Sequence, residues 1–120
     1  MGGRAGTLLA AAGEVTIKVI GKGGHAAMPH MAIDPVLTAS KVVVELQSII
    51  SRELDPLGSG VISICAVHGG KAFNVIPPFV ELRGTIRALT LETLAWLQQR
   101  VTAIAQNVAA ASYSDFCPTA

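Results

Sequence analysis

Very little of this chain is charged or aromatic, and those shortages exclude several functions before any motif is considered. Only 14% of its residues are charged, against about 25% in typical soluble domains. Nine Lys and Arg nearly balance eight Asp and Glu, leaving a net charge of +1. Neither nucleic acid nor an anionic membrane surface finds an electrostatic footprint in such a balance. Aromatics make up 4% of the chain, and none on the strand interiors suits the stacking role that an RNA-binding sheet needs on its central strands. No apolar run reaches the roughly 18–20 residues needed to span a bilayer. The two cysteines, Cys65 and Cys117, offer neither a zinc site nor a disulfide framework and read as ordinary thiols. The compartment is left open, with the cytoplasm as the default.

Apolar residues, by contrast, are abundant. They account for 51% of 120 residues, enough for one core and one domain. With so little charge, some of that apolar surface is expected to be covered by a partner or a further domain. The apolar run Leu8-Leu9-Ala10-Ala11-Ala12 is too short for the core of a signal peptide. Residues 1–12 therefore read as a lead-in segment, 13–117 as the domain and 118–120 as a tail.

Hydrophobic periodicity orders the elements. Val15, Ile17 and Val19 alternate with Glu14, Thr16 and Lys18, a half-buried strand that ends at Gly21, Gly23 and Gly24. Asp34 before Pro35 is an N-cap followed by proline at the first helical position, and the helix should run to about Glu53, short of Pro56. Val61–His68 reads as a second strand, with His68 in phase with Ile62, Ile64 and Ala66, and Gly69-Gly70 as a turn or bulge. Phe79–Arg87 reads as a third strand, with Val80, Leu82 and Ile86 facing inward. Thr90 caps a second helix whose stripe is Leu94, Leu97, Val101, Ile104 and Val108. A last short strand is expected over Ser112–Cys117. The order βαββαβ predicts an α+β, two-layer sandwich, a four-stranded antiparallel sheet with both helices on one face, of the ferredoxin-like kind.

The first helix is the unusual one. Thr38, Lys41, Glu45, Ser48 and Arg52 fall on one narrow polar stripe, and the apolar residues cover the remainder. That is an arc of about 240°, wider than one core-facing stripe. Such an arc fits either a helix central in its own domain, touching sheet and neighbouring helix, or a self-association surface. The low overall charge favours association, and a homodimer built on this helix and an adjacent edge strand is expected.

Few residues could carry chemistry. His25 stands between Gly23-Gly24 and Ala26-Ala27, small neighbours that let another molecule approach the ring. An imidazole so placed could donate a hydrogen bond to an oxyanion. His30 lies too far along, past a proline, for helical metal-ligand spacing. Gly21-Lys22-Gly23-Gly24 lacks the lysine and hydroxyl positions of a phosphate loop. Asn74 precedes the third strand and Arg87 ends it on the polar face; an amide and a guanidinium fork could together hold a carboxylate.

In combination these residues carry a family resemblance. Gly21 through His30, Ile33-Asp34-Pro35-Val36, Leu46-Gln47, Ser51-Arg52-Glu53, Asn74-Val75-Ile76-Pro77 and Gly84-Thr85-Ile86-Arg87 resemble the lid, or dimerisation, domain of the dinuclear-metal amidohydrolases. Aminoacylase, carboxypeptidase G and succinyl-diaminopimelate desuccinylase belong to that family, and the wording is nearest the hippurate and auxin-conjugate (indole-3-acetyl-amino acid) hydrolase branch. The resemblance covers nearly the whole chain and fades after about Ala110.

The resemblance implies a lid inserted in a separate catalytic domain and paired with a second lid. It implies that His25 reaches the partner subunit's site and stabilises the substrate's carbonyl oxygen, and that Asn74 and Arg87 contact its carboxylate. His30 receives no role. Two divalent ions, zinc or manganese, are implied in the catalytic domain, whose ligands this sequence does not contain. Glu14, Glu45, Glu53 and Asp55 are too scattered to replace them. Alone, the chain is expected to hydrolyse nothing. The alternative is a stand-alone dimerisation module without catalysis.

Overall fold

Alternation of Val15, Ile17 and Val19 with polar neighbours builds β1 (Ala11–Ile20), whose inward residues are almost wholly buried. The computed structural model describes residues 11–118, with side chains described through Ser114. After β1 come the two-residue β2 (Gly24–His25), a 3-10 turn at Pro29–Met31, and α1 (Pro35–Ser48). Asp34 caps α1, its Oδ1 accepting from the backbone N–H of Val36 at 2.9 Å and of Leu37 at 3.4 Å. The helix does not stop at Ser48: a π turn over Ile49–Glu53 carries it on, closed by Leu54 N donating to Ile49 O at 2.8 Å. β3 (Gly60–His68), the short β4 (Val75–Ile76), β5 (Phe79–Ala88), α2 (Leu91–Ala111) and β6 (Asp115–Pro118) complete the chain.

The protein is α+β, with two long helices and antiparallel sheets. The main sheet has the order β3-β5-β1, and the four-residue β6 pairs antiparallel with the far end of β1. β2 and β4 form a separate two-stranded ribbon. Val80, Leu82 and Ile86 of β5 share the inward face with Val15, Ile17 and Val19 of β1 and with Ile62 of β3. Val42 and Leu46 from α1, Ile49 from the π turn, and Leu97, Val101 and Ile104 from α2 complete one continuous core with them. Glu14, Thr16, Lys18, Arg83 and Arg87 lie on the opposite, polar face. That one-sided alternation is why these strands were legible.

Three sequence expectations are corrected. Thr38 does not belong to a solvent-facing stripe. It is 1% exposed, its hydroxyl 3.1 Å from Asp34 O and 3.2 Å from the Ser114 hydroxyl, which ties the start of α1 to the turn after α2. The last strand begins at Asp115 rather than Ser112, because α2 continues to Ala111 and ends with Tyr113 at φ 59°. His68 is not in phase with Ile62. A bulge between Ile64 and Ala66 shifts the register by one residue. His68 therefore lies opposite Glu81 on the polar face, and it is exposed.

The bulge has a cause on the neighbouring strand. Gly84 lies opposite Ile64, and a Cβ there would overlap the Ser63 carbonyl oxygen and reach 2.9 Å from Ile64 Cα. Only glycine lets β3 approach β5 this closely.

One ion pair joins the π turn to α2. Arg100 donates from Nε to Glu53 Oε1 at 2.7 Å and from Nη2 to Oε2 at 3.3 Å. These hydrogen bonds, with the guanidinium charge behind them, hold the Glu53 carboxyl below its ordinary 4.5. A depressed folded value means that the contribution is complete above pH 4.5 and disappears as pH falls through the folded value. Glu53→Gln should therefore lower the melting temperature slightly at pH 7 and in low salt, with the difference closing in acid. Melting curves of both proteins across that range check it. Both side chains are solvent-exposed, so salt should also shrink the difference.

Candidate functional site

Glycine and a pinched loop bring together two motifs that are far apart in sequence. Lys22 N donates to Ile33 O at 2.8 Å and Ile33 N to Lys22 O at 3.0 Å, closing the base of the loop after β1. Gly21 N donates to Pro78 O at 2.8 Å, which fastens that base to the strand leading into β5. Beyond it, β2 pairs with β4, Gly24 opposite Ile76 and His25 opposite Val75. Gly23 is needed for that approach: a Cβ there would lie 2.8 Å from Ile76 O. Ala26 N donates to Asn74 O at 3.0 Å, so His25 and Val75 form the non-hydrogen-bonded, closer kind of antiparallel pair with both side chains on one face.

His25 is exposed, and the ring is oriented by its own loop. Its Nδ1 accepts a hydrogen bond from Ala27 N at 3.0 Å. A nitrogen that accepts carries no proton, so the neutral ring has its proton on Nε2, and Nε2–H is the outward donor. Asn74 is exposed at the start of β4, one residue before His25's partner Val75. These two sequence-predicted residues therefore share one ribbon.

Arg87 does not join them. It is exposed on the polar face near the far end of β5, opposite Ala12 and Val61. Phe79, at the ribbon end of the same strand, is eight residues away, or about 26 Å at strand rise. Within one chain, Asn74 and Arg87 cannot clamp one carboxylate, contrary to the pairing expected from their positions beside one strand. His30 lies exposed in the 3-10 turn Pro29–Met31. That His25 faces Val75 depends on a contact between distant segments, and Gly23, which lies against Ile76 O, is the one local trace of it.

Among the described residues, no group of three or more His, Cys, Asp or Glu side chains is placed to hold a metal ion. Glu14 is on the polar sheet face, Glu45 on α1, Glu53 in the π turn and Asp55 in the loop beyond it. The two divalent ions implied by the resemblance do not fit these residues, and no chemical step follows from them here.

Fold and site together define an α+β domain that presents an exposed imidazole oriented by its own backbone. A family model described as the peptidase dimerisation domain matches residues 10–112. The chain is 44% identical over 108 residues to N-acetyldiaminopimelate deacetylase of Leuconostoc citreum, covering 90% of this chain and 28% of that protein. It is 50% identical over 107 residues to IAA-amino acid hydrolase ILR1-like 2 of Arabidopsis thaliana, covering 89% and 24%. The aminobenzoyl-glutamate utilization protein of Klebsiella pneumoniae shares the fold at a TM-score of 0.82 and 16% identity, over 93% of this chain and 28% of that one. This chain belongs to the peptidase dimerisation domain family, and it spans about a quarter of the length of the relatives it matches.

Proposed function

We propose that this chain is the dimerisation lid of a metal-dependent amidohydrolase acting on N-acyl amino acids, and that it lends His25 to a site on the partner subunit. The observation that carries the proposal is the His25–Ala27 hydrogen bond, which occupies Nδ1 and leaves Nε2–H as an exposed donor. When a nucleophile held elsewhere attacks the amide carbon, negative charge develops on the carbonyl oxygen. A fixed donor aimed at that oxygen is worth about 10²–10³ in rate. The zinc or manganese ions of such a reaction belong to the catalytic portion of the full enzyme.

The sandwich is read as ferredoxin-like, with β6 as the fourth strand beside β1 and both helices over one face. The dimer surface is α1 with β3. Val36, Leu37 and Val44 are 46%, 56% and 72% exposed on α1, an apolar surface with nothing over it in the single chain. β3 is the edge strand of the main sheet, and Gln47 of α1 reaches it, donating from Nε2 to Ile62 O at 3.2 Å. Two copies joined antiparallel through β3 would set the His68 end of one strand beside the Val61 end of the other. His25 and Asn74 lie toward the first end and Arg87 toward the second. The dimer thus offers what one chain lacks: His25 and Asn74 of one subunit near Arg87 of the partner subunit, whose guanidinium would take the substrate's carboxylate.

Light scattering at micromolar concentration should give twice the 12.4 kDa of one chain, and Val44→Asp together with Val36→Asp should shift the mass to that of a monomer. A monomer mass for the unaltered chain would contradict the proposed surface.

The exposed apolar residues of α1, Val36, Leu37 and Val44, would serve a stand-alone association module as well. The two readings part in one experiment. The chain is mixed with a full-length relative carrying alanine at the position matching His25. Recovery of N-acyl amino acid hydrolysis as mixed dimers form supports the lending role; exchange of subunits without recovery contradicts it.

A further inference from the structure

β3 has one open edge, and part of the backbone on that edge is already taken. A Cβ on Gly84 would overlap the Ser63 carbonyl oxygen, so that carbonyl is directed toward β5. Successive strand residues turn their backbone groups to opposite sides, so Ile62 and Ile64 turn theirs to the open edge. The bulge between Ile64 and Ala66 inserts one residue, after which Val67 is the next to face outward. The Ile62 carbonyl accepts from Gln47 Nε2 at 3.2 Å. The Gln47 amide therefore stands where the N–H of an added strand would have to come. Val67 is a second sign of a missing neighbour. It lies opposite the fully buried Leu82 and so shares the inward face of the sheet, yet it is 62% exposed.

We infer that Gln47 sets the register in which a second copy pairs with β3, with Ile64 of each strand opposite Val67 of the partner subunit. The inference rests on the dimer surface proposed above and adds its register. Antiparallel pairing on this edge needs outward residues that exchange both backbone bonds. Gln47 withdraws Ile62 from that exchange. Registers centred on Ile64 or on Val67 then keep one bonded pair within the strands. Opposing Ile64 with Val67 keeps two, because the two-fold axis repeats the pair. It also lays the partner's Ile64 beside the uncovered Val67 on the same face. In this register Val61, and with it Arg87 on β5, lies beside the loop that follows His68 of the partner subunit. A slip by one bonded pair would move that loop about 7 Å along the strand.

Three forms of the 120-residue chain test the register, each with Cys65 and Cys117 changed to serine: Ile64→Cys, Val67→Cys, and both together. Residues opposed in a bonded pair stand about 5.5 Å apart at Cα, within reach of a disulfide. Each residue and its own copy are then farther apart than the limit of about 7 Å. Under copper-phenanthroline oxidation the double variant should yield at least about tenfold more covalent dimer than either single variant. Gln47→Met, similar in size but without a donor, should remove that selectivity, so that Ile64→Cys alone links to its own copy. Gln47→Glu, which only accepts when ionised, should do the same. Self-linking of either single variant with Gln47 in place would overturn the inference. So would unchanged selectivity in both Gln47 variants, or no covalent dimer from any form. A dimer mass by light scattering without the expected cross-links removes the register alone, whereas a monomer mass removes the surface itself.

Discussion

His25→Ala, made at the matching position of a full-length relative, should lower kcat by about 10²–10³ while KM changes little. The split follows from when the hydrogen bond matters. Nε2–H is a weak partner for a ground-state carbonyl and a strong one for the oxygen that gains charge, so its loss is felt in the transition state. The ring's orientation comes from backbone rather than from other side chains: Ala27 N–H is the donor to Nδ1, and the ribbon is held by Ala26 N to Asn74 O. Removing the imidazole should therefore leave the fold undisturbed. Steady-state kinetics with one N-acyl amino acid, beside a melting curve for each protein, check both halves. A kcat within threefold or so of the unaltered enzyme's would mean that the imidazole does not touch the reacting oxygen. Asparagine or glutamine in its place should recover part of the rate only if the amide nitrogen reaches where Nε2 was.

Gly84→Ala should be the most damaging single methyl on the sheet. The added Cβ would occupy the position of the Ser63 carbonyl oxygen, and that oxygen belongs to backbone, so no rotamer change relieves the overlap. Either β3 separates from β5 or the bulge at Cys65 is rearranged. Overpacking of this kind costs about 2–3 kcal/mol, or roughly 10–15 °C in melting temperature for a domain of this size. Thr85→Ala, next door on the polar face, should stay within about 0.5 kcal/mol. Thermal unfolding followed by circular dichroism separates the two, and equal melting temperatures would mean that β3 and β5 are not held this close. The dimer should suffer as well, because β3 is the strand proposed to meet the second copy.

Most of the layered architecture was legible because it obeys simple periods. Val15, Ile17 and Val19, then Val80, Leu82 and Ile86, alternate as strands with one wet face must. Asp34-Pro35 and Thr90 mark helix starts through capping chemistry that is local in sequence. What was illegible depends on contacts between distant segments. The bulge between Ile64 and Ala66 is set by a glycine on the neighbouring strand, and it moved His68 to the polar face. Thr38 looked like part of a polar stripe because its partner, Ser114, comes after the second helix. The candidate site divides in the same way. His25 stands out as a candidate through its small neighbours and the family resemblance, but its place opposite Val75 came only with the ribbon. Arg87 was read beside Asn74 because both flank one strand. The length of that strand separates them, which excludes a clamp within one chain.

The most direct measurement combines two disabled full-length proteins, one with alanine at the position of His25 and the other with alanine at that of Arg87. If the two residues reach one site from different subunits, a mixed dimer has one site with neither residue and one site with both. Hydrolysis should then rise as subunits exchange, toward about half of the unaltered rate per mixed dimer. A mixture that exchanges fully, as mass spectrometry would show, yet remains no more active than either variant alone would contradict the shared site.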